Sequence, residues 1–322
     1  MSTPIGGFTG ELSPNAVKTG IDTVMYEEHG REQQPQYLGA SDSFFFKQGT
    51  TEGKTSFIWE ENSNVGEFQK TGEQEDILNT DVRNGNKTTK SSQKYTKQIP
   101  ISDEAFRADQ VGLREQIGRQ VGDRARQTQD KQAILNTYGD AFAGSINTTP
   151  DGQALASNSH VTLKGITVDN LETGVLNADN AWISVTSLAN QKAQDGDAGS
   201  HVFEGILVPF TLYKTAKETF NSQLVPFSGE NQVNIFDTDY GTVRIYASIF
   251  LGSAYNSNSN ANTSVHYLSR NHMVNRKVFY GLTTDLIPPV NSDNDTYQLR
   301  SKFHEMTFNG SFTGYVGSNG TV

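Results

Sequence analysis

The stretch SDEAFRADQVGLREQIGRQVGDRARQTQDKQAILNTY, residues 102–138, carries Phe106, Leu113, Ile117, Val121, Ala125, Leu135 and Tyr138 as its apolar stripe. Their steps of about three, four or seven fit one face of a helix of period 3.6. No proline falls between Pro100 and Pro150. Ser102 has the chemistry of an N-cap, and Asp103 and Glu104 would place negative charge on the first turn, where the helix dipole favours it. A helix over the whole stretch would run about 54 Å at 1.5 Å per residue, several times an ordinary globular helix. Its six acids (Asp103, Glu104, Asp109, Glu115, Asp123, Asp130) balance six bases (Arg107, Arg114, Arg119, Arg124, Arg126, Lys131). Five of the chain's eleven arginines lie here, and arginine clusters suit bidentate contacts with carboxylates of other chains. Gly112, Gly118 and Gly122 would each cost about 1 kcal/mol relative to alanine within a helix. Three of them imply that something packs close to this helix or that it bends.

Immediately upstream, residues 61–99 are polar and unevenly charged. Glu61, Glu67, Glu73, Glu75, Asp76 and Asp81 face the single base Lys70, whereas Arg83, Lys87, Lys90, Lys94 and Lys97 follow with no acid among them. Asn84-Gly85 at the changeover is a type I′ turn signal. The pattern predicts a long hairpin with an acidic and a basic limb. It is a solvated loop whose limbs attract each other, or a projecting loop whose limbs engage complementary charges on neighbouring subunits and set their register. Further upstream, SFFFKQGTTEGKTSFIWE (43–60) predicts two strands around a tight turn. Its GTTEGKT segment superficially suggests a phosphate loop. However, Gly49 and Gly53 enclose three residues where four are needed, and a β-like run follows Lys54 instead of a helix. Residues 1–40 read as an extended arm with one short helix around Pro14 to Tyr26, either disordered or ordered by lying on another surface.

Downstream, residues 144–165 read as loop, with Pro150-Asp151-Gly152 as a turn. Asp169 is an expected cap for a helix through Leu171, Val175 and Leu176, and a second helix carries Trp182, Val185 and Ala189. Glu204–Phe210 (EGILVPF) predicts a buried strand, and Leu212, Ala216 and Phe220 a one-sided helix. Thr242–Leu251 (TVRIYASIFL) predicts another strand. Strand followed by helix over short connections indicates an α/β domain over 140–260. Residues 252–264 (GSAYNSNSNANTS) form an exposed polar loop. Met306, Phe308, Phe312 and Val316 predict closing strands with one buried face, which Gly310 and Gly314 interrupt with bulges or a bend.

The whole chain has 322 residues, 34% of them hydrophobic, no cysteine and a net charge of -10. The acidity argues against a dedicated nucleic-acid binder, though not against a protein that encloses nucleic acid. The lack of cysteine removes disulfides and thiolate metal sites. There is no run able to span a bilayer and no basic-apolar signal at the N-terminus, so cytoplasmic synthesis is expected. The six histidines (His29, His160, His201, His266, His272, His304) have no metal-ligand spacing. Ser157-Asn158-Ser159-His160 lacks a nucleophile elbow and reads as a polar turn. The residues point to no catalytic, cofactor or metal site.

Arm, charged hairpin, long arginine-rich helix, α/β domain and closing strands, in that order, resemble the tailed-bacteriophage major capsid proteins with the Hong Kong 97-type fold. The stretches QIPISDEAFRADQVGLREQIGRQ, DGQALASNSH (151–160) and EGILVPFTLYKTA (204–216) are similar to corresponding parts of phage head proteins. The resemblance implies an α+β chain divided into an N-arm (1–42), an E-loop with flanking strands (43–100) and a spine helix of the peripheral (P) domain (101–139). An axial (A) domain (140–260) and return strands completing the P domain (261–322) would follow. It implies hexamers and pentamers of an icosahedral or prolate head around packaged double-stranded DNA, assembled in the host cytoplasm. A separate scaffolding protein, a portal and optionally a decoration protein would be partners. No long helical segment precedes the arm, so a fused scaffolding domain is expected to be absent or removed. No lysine–asparagine–glutamate cross-linking site stands out, so non-covalent stabilisation is expected. The inter-subunit residues expected are Glu67, Glu73, Glu75, Asp76, Arg83, Lys87, Lys90, Lys94, Lys97, Arg114, Arg119, Arg124 and Arg126. Alternatives are an encapsulin-like compartment shell, a surface-filament or adhesin protein and, last, an enzyme using a degenerate phosphate loop.

Overall fold

The structure is a computed structural model and describes residues 14–30, 43–51, 53–65, 70, 82–102, 112–224, 233–240, 243–289 and 296–321. In chain order they begin with α1 (Pro14–Gly30), β1 (Lys47–Thr50), β2 (Ser56–Asn62), β3 (Asn84–Ser91), β4 (Gln93–Ser102) and α2 (Leu113–Ile134). Three short strands follow, β5 (His160–Val161), β6 (Thr167–Val168) and β7 (Leu171–Glu172), then α3 (Ala178–Asn190), β8 (Phe203–Pro209), α4 (Tyr213–Asn221) and α5 (Ile235–Asp239). The chain closes with β9 (Arg244–Ser248), β10 (Val265–Ser269), β11 (Val274–Ile287), β12 (Thr296–Asn309) and β13 (Tyr315–Ser318). This is a mixed α+β chain. Two compact units form, one from Met1–Glu32, Gln93–Gln129 and Tyr280–Glu305, the other from Gln33–Ser92, Asp130–Phe279 and Met306–Val322.

In the first unit β4 pairs antiparallel with β12, from Gln93 opposite Glu305 to Ser102 opposite Thr296. Ser102 therefore closes a strand and is not the N-cap expected of it. The helix starts at Leu113, with residues 103–111 outside the described set. Gly112 is also not helical. It stands at φ +68°, a left-handed conformation that only glycine adopts without strain, and its carbonyl accepts the first helical bond, from Gln116. From Leu113 to Ile134 α2 spans about 33 Å at 1.5 Å per residue. It continues as a π-helical turn, Leu135–Gly139. Ile21 of α1 is buried with Ile101 and Leu299, and Met25 with Val121, Ala125, Leu282 and Phe303. Both helices and the sheet thus share one small core, whose helical members are spaced by four.

The second unit is built on a five-stranded sheet, β7-β13-β10-β8-β9. The β8–β9 and β13–β7 pairs are parallel; β10 is antiparallel to both its neighbours. The EGILVPF run falls mostly in β8, whose Gly205–Pro209 stretch is apolar without interruption because both faces are covered. Phe210 lies just past it and is exposed. Ile206 and Val208 pack with Val185, Leu188, Ala216 and Phe220, while Leu207 packs with Phe45, Phe46, Ile134 and Tyr138. The sheet also recruits β10 and β13, strands lying beyond residue 260.

Three local expectations are corrected here. Asn84-Gly85 is not a turn: it opens β3, with Asn84 opposite Asn62. The glycine suits close packing there, since a Cβ at 85 would lie 2.6 Å from the Leu163 methyl tips and 3.0 Å from the Glu61 carbonyl. The 43–60 segment is not a hairpin either. β1 pairs parallel with β11 and β2 antiparallel with β3, since the buried Phe44–Phe46 run anchors β1 in the core, away from β2. Asp169 caps no helix; it accepts from Leu171 N–H (2.9 Å) just ahead of β7, and the true N-cap is Asn177 of α3, accepting from Asn180 N–H at 2.8 Å.

Candidate assembly surfaces

Two places in the molecule gather the side chains that a subunit interface would use, and each lies within one unit. In the second unit the β2–β3 hairpin has two faces. Phe57, Trp59 and Glu61 alternate along β2 and turn inward. Phe57 and Trp59 each approach Phe308 at 5.8 Å between ring centroids, and the Trp59 indole N–H donates to the Gly310 carbonyl at 2.7 Å. The register shifts between Glu60 and Asn62, a bulge beside the inward-facing Glu61. Glu61 is 6% exposed, and its Oε1 accepts from Gln194 Nε2 at 3.2 Å. Gln194 also donates to Ser311 Oγ (3.3 Å) and accepts from Leu163 N–H (3.2 Å). Burial pushes the Glu61 carboxyl up to about 7; a hydrogen bond from Ser311 works against this and the charge of Asp151 adds to it. Sequence reasoning missed this root. The Phe57-Trp59-Glu61 alternation was its available signal.

The outer face of the hairpin carries Ile58, 64% exposed, and Glu60, whose carboxylate lies 3.3 Å from Lys87 directly across the ladder. Lys90 is opposite Phe57 on the inner face, half-buried, and burial lowers its pKa although the Asp140 charge opposes this. Arg83 is exposed just outside the ladder, its N–H donating to Ser63 Oγ at 2.8 Å. Glu67, Glu73, Glu75 and Asp76 lie outside the described residues. The basic run is therefore not one limb. It is split at Ser92 between two sheets, with Lys94 and Lys97 exposed on β4 of the first unit.

There Lys97 shares a strand face with Tyr95 and Ile99 and lines a mostly apolar groove of about 440 Å³ with Val121, Arg124, Ala125, Leu282 and Phe303. Tyr95 and Phe303 stack in it, 4.9 Å apart. Lys97 and Arg124 are the two expected interface residues that the structure brings to one place. Arg124 donates to Gln127 at 2.7 Å and stays exposed. Arg119 pairs with Glu115 at 2.6 Å on the solvent side. Arg126 pairs with Asp123 at 2.7 Å and donates to the Glu28 carbonyl of α1 at 3.2 Å. The side chain of Arg114 is outside the described set.

Gly118 and Gly122 have a structural partner in α1. A Cβ at 118 would lie 2.9 Å from the Ile21 carbonyl, and one at 122 would lie 2.4 Å from that of Met25. The expected close-packing element is thus α1 of the same chain, crossing two glycines one turn apart.

Among the described residues no cluster of three or more potential ligands could hold a metal. His160 Nδ1 lies 2.8 Å from Asp151 and Nε2 3.2 Å from the Leu155 carbonyl, with the ring stacked on Phe312. Neither nitrogen faces Ser157 or Ser159. Lys54 leads into β2, so no helix N-terminus addresses a phosphate at Gly49–Thr55. No described helix is long and apolar enough to cross a membrane.

A family model described as phage capsid protein matches residues 86–285. The fold is similar to the capsid of a native GTA particle computed with C5 symmetry, at 10% identity and TM-score 0.55, covering 90% of this chain and 91% of that one. It is similar to the capsid of cyanophage P-SCSP1u (10% identity, 90% of both chains, TM-score 0.54). It is likewise similar to the mature capsid of bacteriophage PhiM1 (11%, 89% and 90%, 0.53). At such identities the likeness is one of fold. No curated protein matches the sequence.

Proposed function

The chain belongs to the phage capsid protein family, and from that premise we propose that it self-assembles through hexamers and pentamers into an icosahedral or prolate head enclosing double-stranded DNA. The observation that carries this is the family match over 86–285, which takes in most of β3, all of β4 and α2, and four of the five strands of the second unit's sheet, β7, β8, β9 and β10. The role is that of a shell subunit of the virion, structural and not catalytic. DNA is held without sequence reading, as befits a chain of net charge -10. In this reading residues 1–42 act as the N-arm, 43–100 as the E-loop region and 101–139 as the spine. Residues 140–260 act as the A domain and 261–322 as strands returning to the P domain. Scaffolding, portal and optional decoration proteins are separate partners.

Contacts between copies are assigned by charge. Glu67, Glu73, Glu75 and Asp76 of one copy seat at the groove of another, where Lys97 and Arg124 flank an apolar floor. Arg83, Lys87 and Lys94 offer further exposed positive charge. Such pairs set register and encounter more than affinity, so assembly should depend on salt. Sedimentation of the purified chain across a salt series tests this. Particles far heavier than the 35.3 kDa subunit are expected, and a Lys97→Glu, Arg124→Glu double variant should lower their yield most at low salt. Unchanged assembly by that variant would remove the groove from the interface. Subunit-sized material under every condition would remove the shell.

A further inference from the structure

The buried carboxylate at the foot of the β2–β3 hairpin has no role in the contacts assigned above. Burying an ionised carboxylate without a cation is costly, and such groups normally take up a proton instead. Among the described residues no cation forms an ion pair with Glu61: its neighbours are the neutral Gln194 amide and Ser311 hydroxyl. Glu60, beside it on β2, is the residue that engages Lys87. Asp151 opposes it with a charge of the same sign. Burial pushes Asp151 up, but hydrogen bonds from His160 and Thr149 and the pairing with His160 outweigh this and hold it below the usual range. The Gln194 loop also carries Lys192, Asp195 and Asp197, and the Leu163 turn carries Lys164; none of these pairs with Glu61.

We infer that Glu61 is a proton-operated latch at the root of the β2–β3 hairpin, holding the root against Gln194 and Ser311 when neutral and favouring its release when ionised. The geometry explains why the effect is local. Glu61 and Trp59, two residues apart on one strand face, are both fastened to the segment Gly310–Ser311 or its Gln194 neighbour, so the hairpin root docks as one unit. Trp59 supplies contact that does not titrate. Glu61 supplies a term that does.

The direction follows from linkage. A carboxyl that titrates near 7 while docked and at 4.5 when released binds its proton more tightly in the docked form. Docking is therefore firmest below about pH 4.5 and weakens as the pH rises. Release becomes roughly 10-fold easier per pH unit up to about pH 7, levelling off at roughly 300-fold. The ionisation transfers one proton to solvent and needs no other reactant.

Hydrogen exchange of the full chain at pH 5, 6, 7 and 8, corrected for intrinsic rates, reads this directly in peptides covering Ser56–Asn62 and Asn84–Ser91. Opening should increase about 10-fold per unit to near pH 7 and then plateau. In Glu61→Gln, which keeps a neutral hydrogen-bonding side chain of the same size, the slope should vanish. Ser311→Ala removes a hydroxyl that favours the charged form, so its plateau should begin at higher pH; this holds even if Glu61→Gln does not fold. A wild type without the slope, a Glu61→Gln protein that retains it, or a Ser311→Ala plateau that does not move would each overturn the latch. The readout is opening within one chain and stands or falls separately from shell assembly.

Discussion

The chain fastens two elements, α1 and the β2–β3 hairpin, in two different ways. In the first unit α1 crosses α2 over Gly118 and Gly122, backbone close to backbone, with Ile21 and Met25 buried beside it. In the second the β2–β3 hairpin is held by an aromatic pair and a buried, uncompensated carboxyl. Shape sets the first attachment, and neither salt nor protons should alter it much. The second combines packing with a group whose charge state depends on its surroundings. Two attachments of similar purpose thus respond to different signals, which lets one stay closed while the other loosens.

The comparison is broken most forcefully at the aromatic anchor. Trp59→Ala removes packing on Phe308 and the bond to Gly310, and should destabilise the second unit by about 3 kcal/mol in denaturant unfolding. Gly122→Ala comes next. It adds about 1 kcal/mol of helix propensity but drives a methyl to 2.4 Å from the Met25 carbonyl, so a net loss of about 2 kcal/mol is expected, with faster exchange in α1. Gly118→Ala, at 2.9 Å, should come close to balance. If Gly122→Ala stabilised the chain, α1 would not be seated as described. Arg126→Ala loses its bond to the Glu28 carbonyl and should loosen the end of α1 by about 1 kcal/mol. The exposed Glu115–Arg119 pair should matter least, and Arg119→Ala should leave Tm unchanged within error.

Acidity sharpens the same contrast. Burial drives His266 down to about 3 and His272 to about 4. Both are neutral in the core, so stability of the second unit is full above about pH 6.5 and declines as the pH falls toward 4. The hairpin root should tighten over that same range while the core around it weakens. Thermal unfolding and local exchange recorded together from pH 4 to 8 would show the opposed slopes.

How much of this could be read from the residues alone depended on how local the determinant was. The stripe Ile117-Val121-Ala125 gave α2, the EGILVPF run gave β8, and Leu212-Ala216-Phe220 gave α4, because periodicity within a few residues was enough. The glycines announced a close neighbour but not its identity, since α1 lies about a hundred positions away. Ser102 and Asn84-Gly85 misled because cap and turn chemistry is shared with strand ends and close packing. Partner strands were invisible: β1 lies beside β11, and nothing near Lys47 encodes Asn275. The charge run 83–97 was legible as composition. Its division between two sheets was not, because that depends on where β4 finds β12. Glu61 looked like one more acid in an acidic stretch. Its inward direction shows in its place two residues after Trp59 on the buried face of β2.

The most direct measurement is electron microscopy of the purified full-length protein, first in negative stain and then frozen. Uniform closed shells built of hexamers and pentamers, with the β2–β3 hairpin of one copy reaching the Lys97–Arg124 groove of the next, are the expected result. Isolated 35.3 kDa particles or open filaments across pH and salt would contradict it.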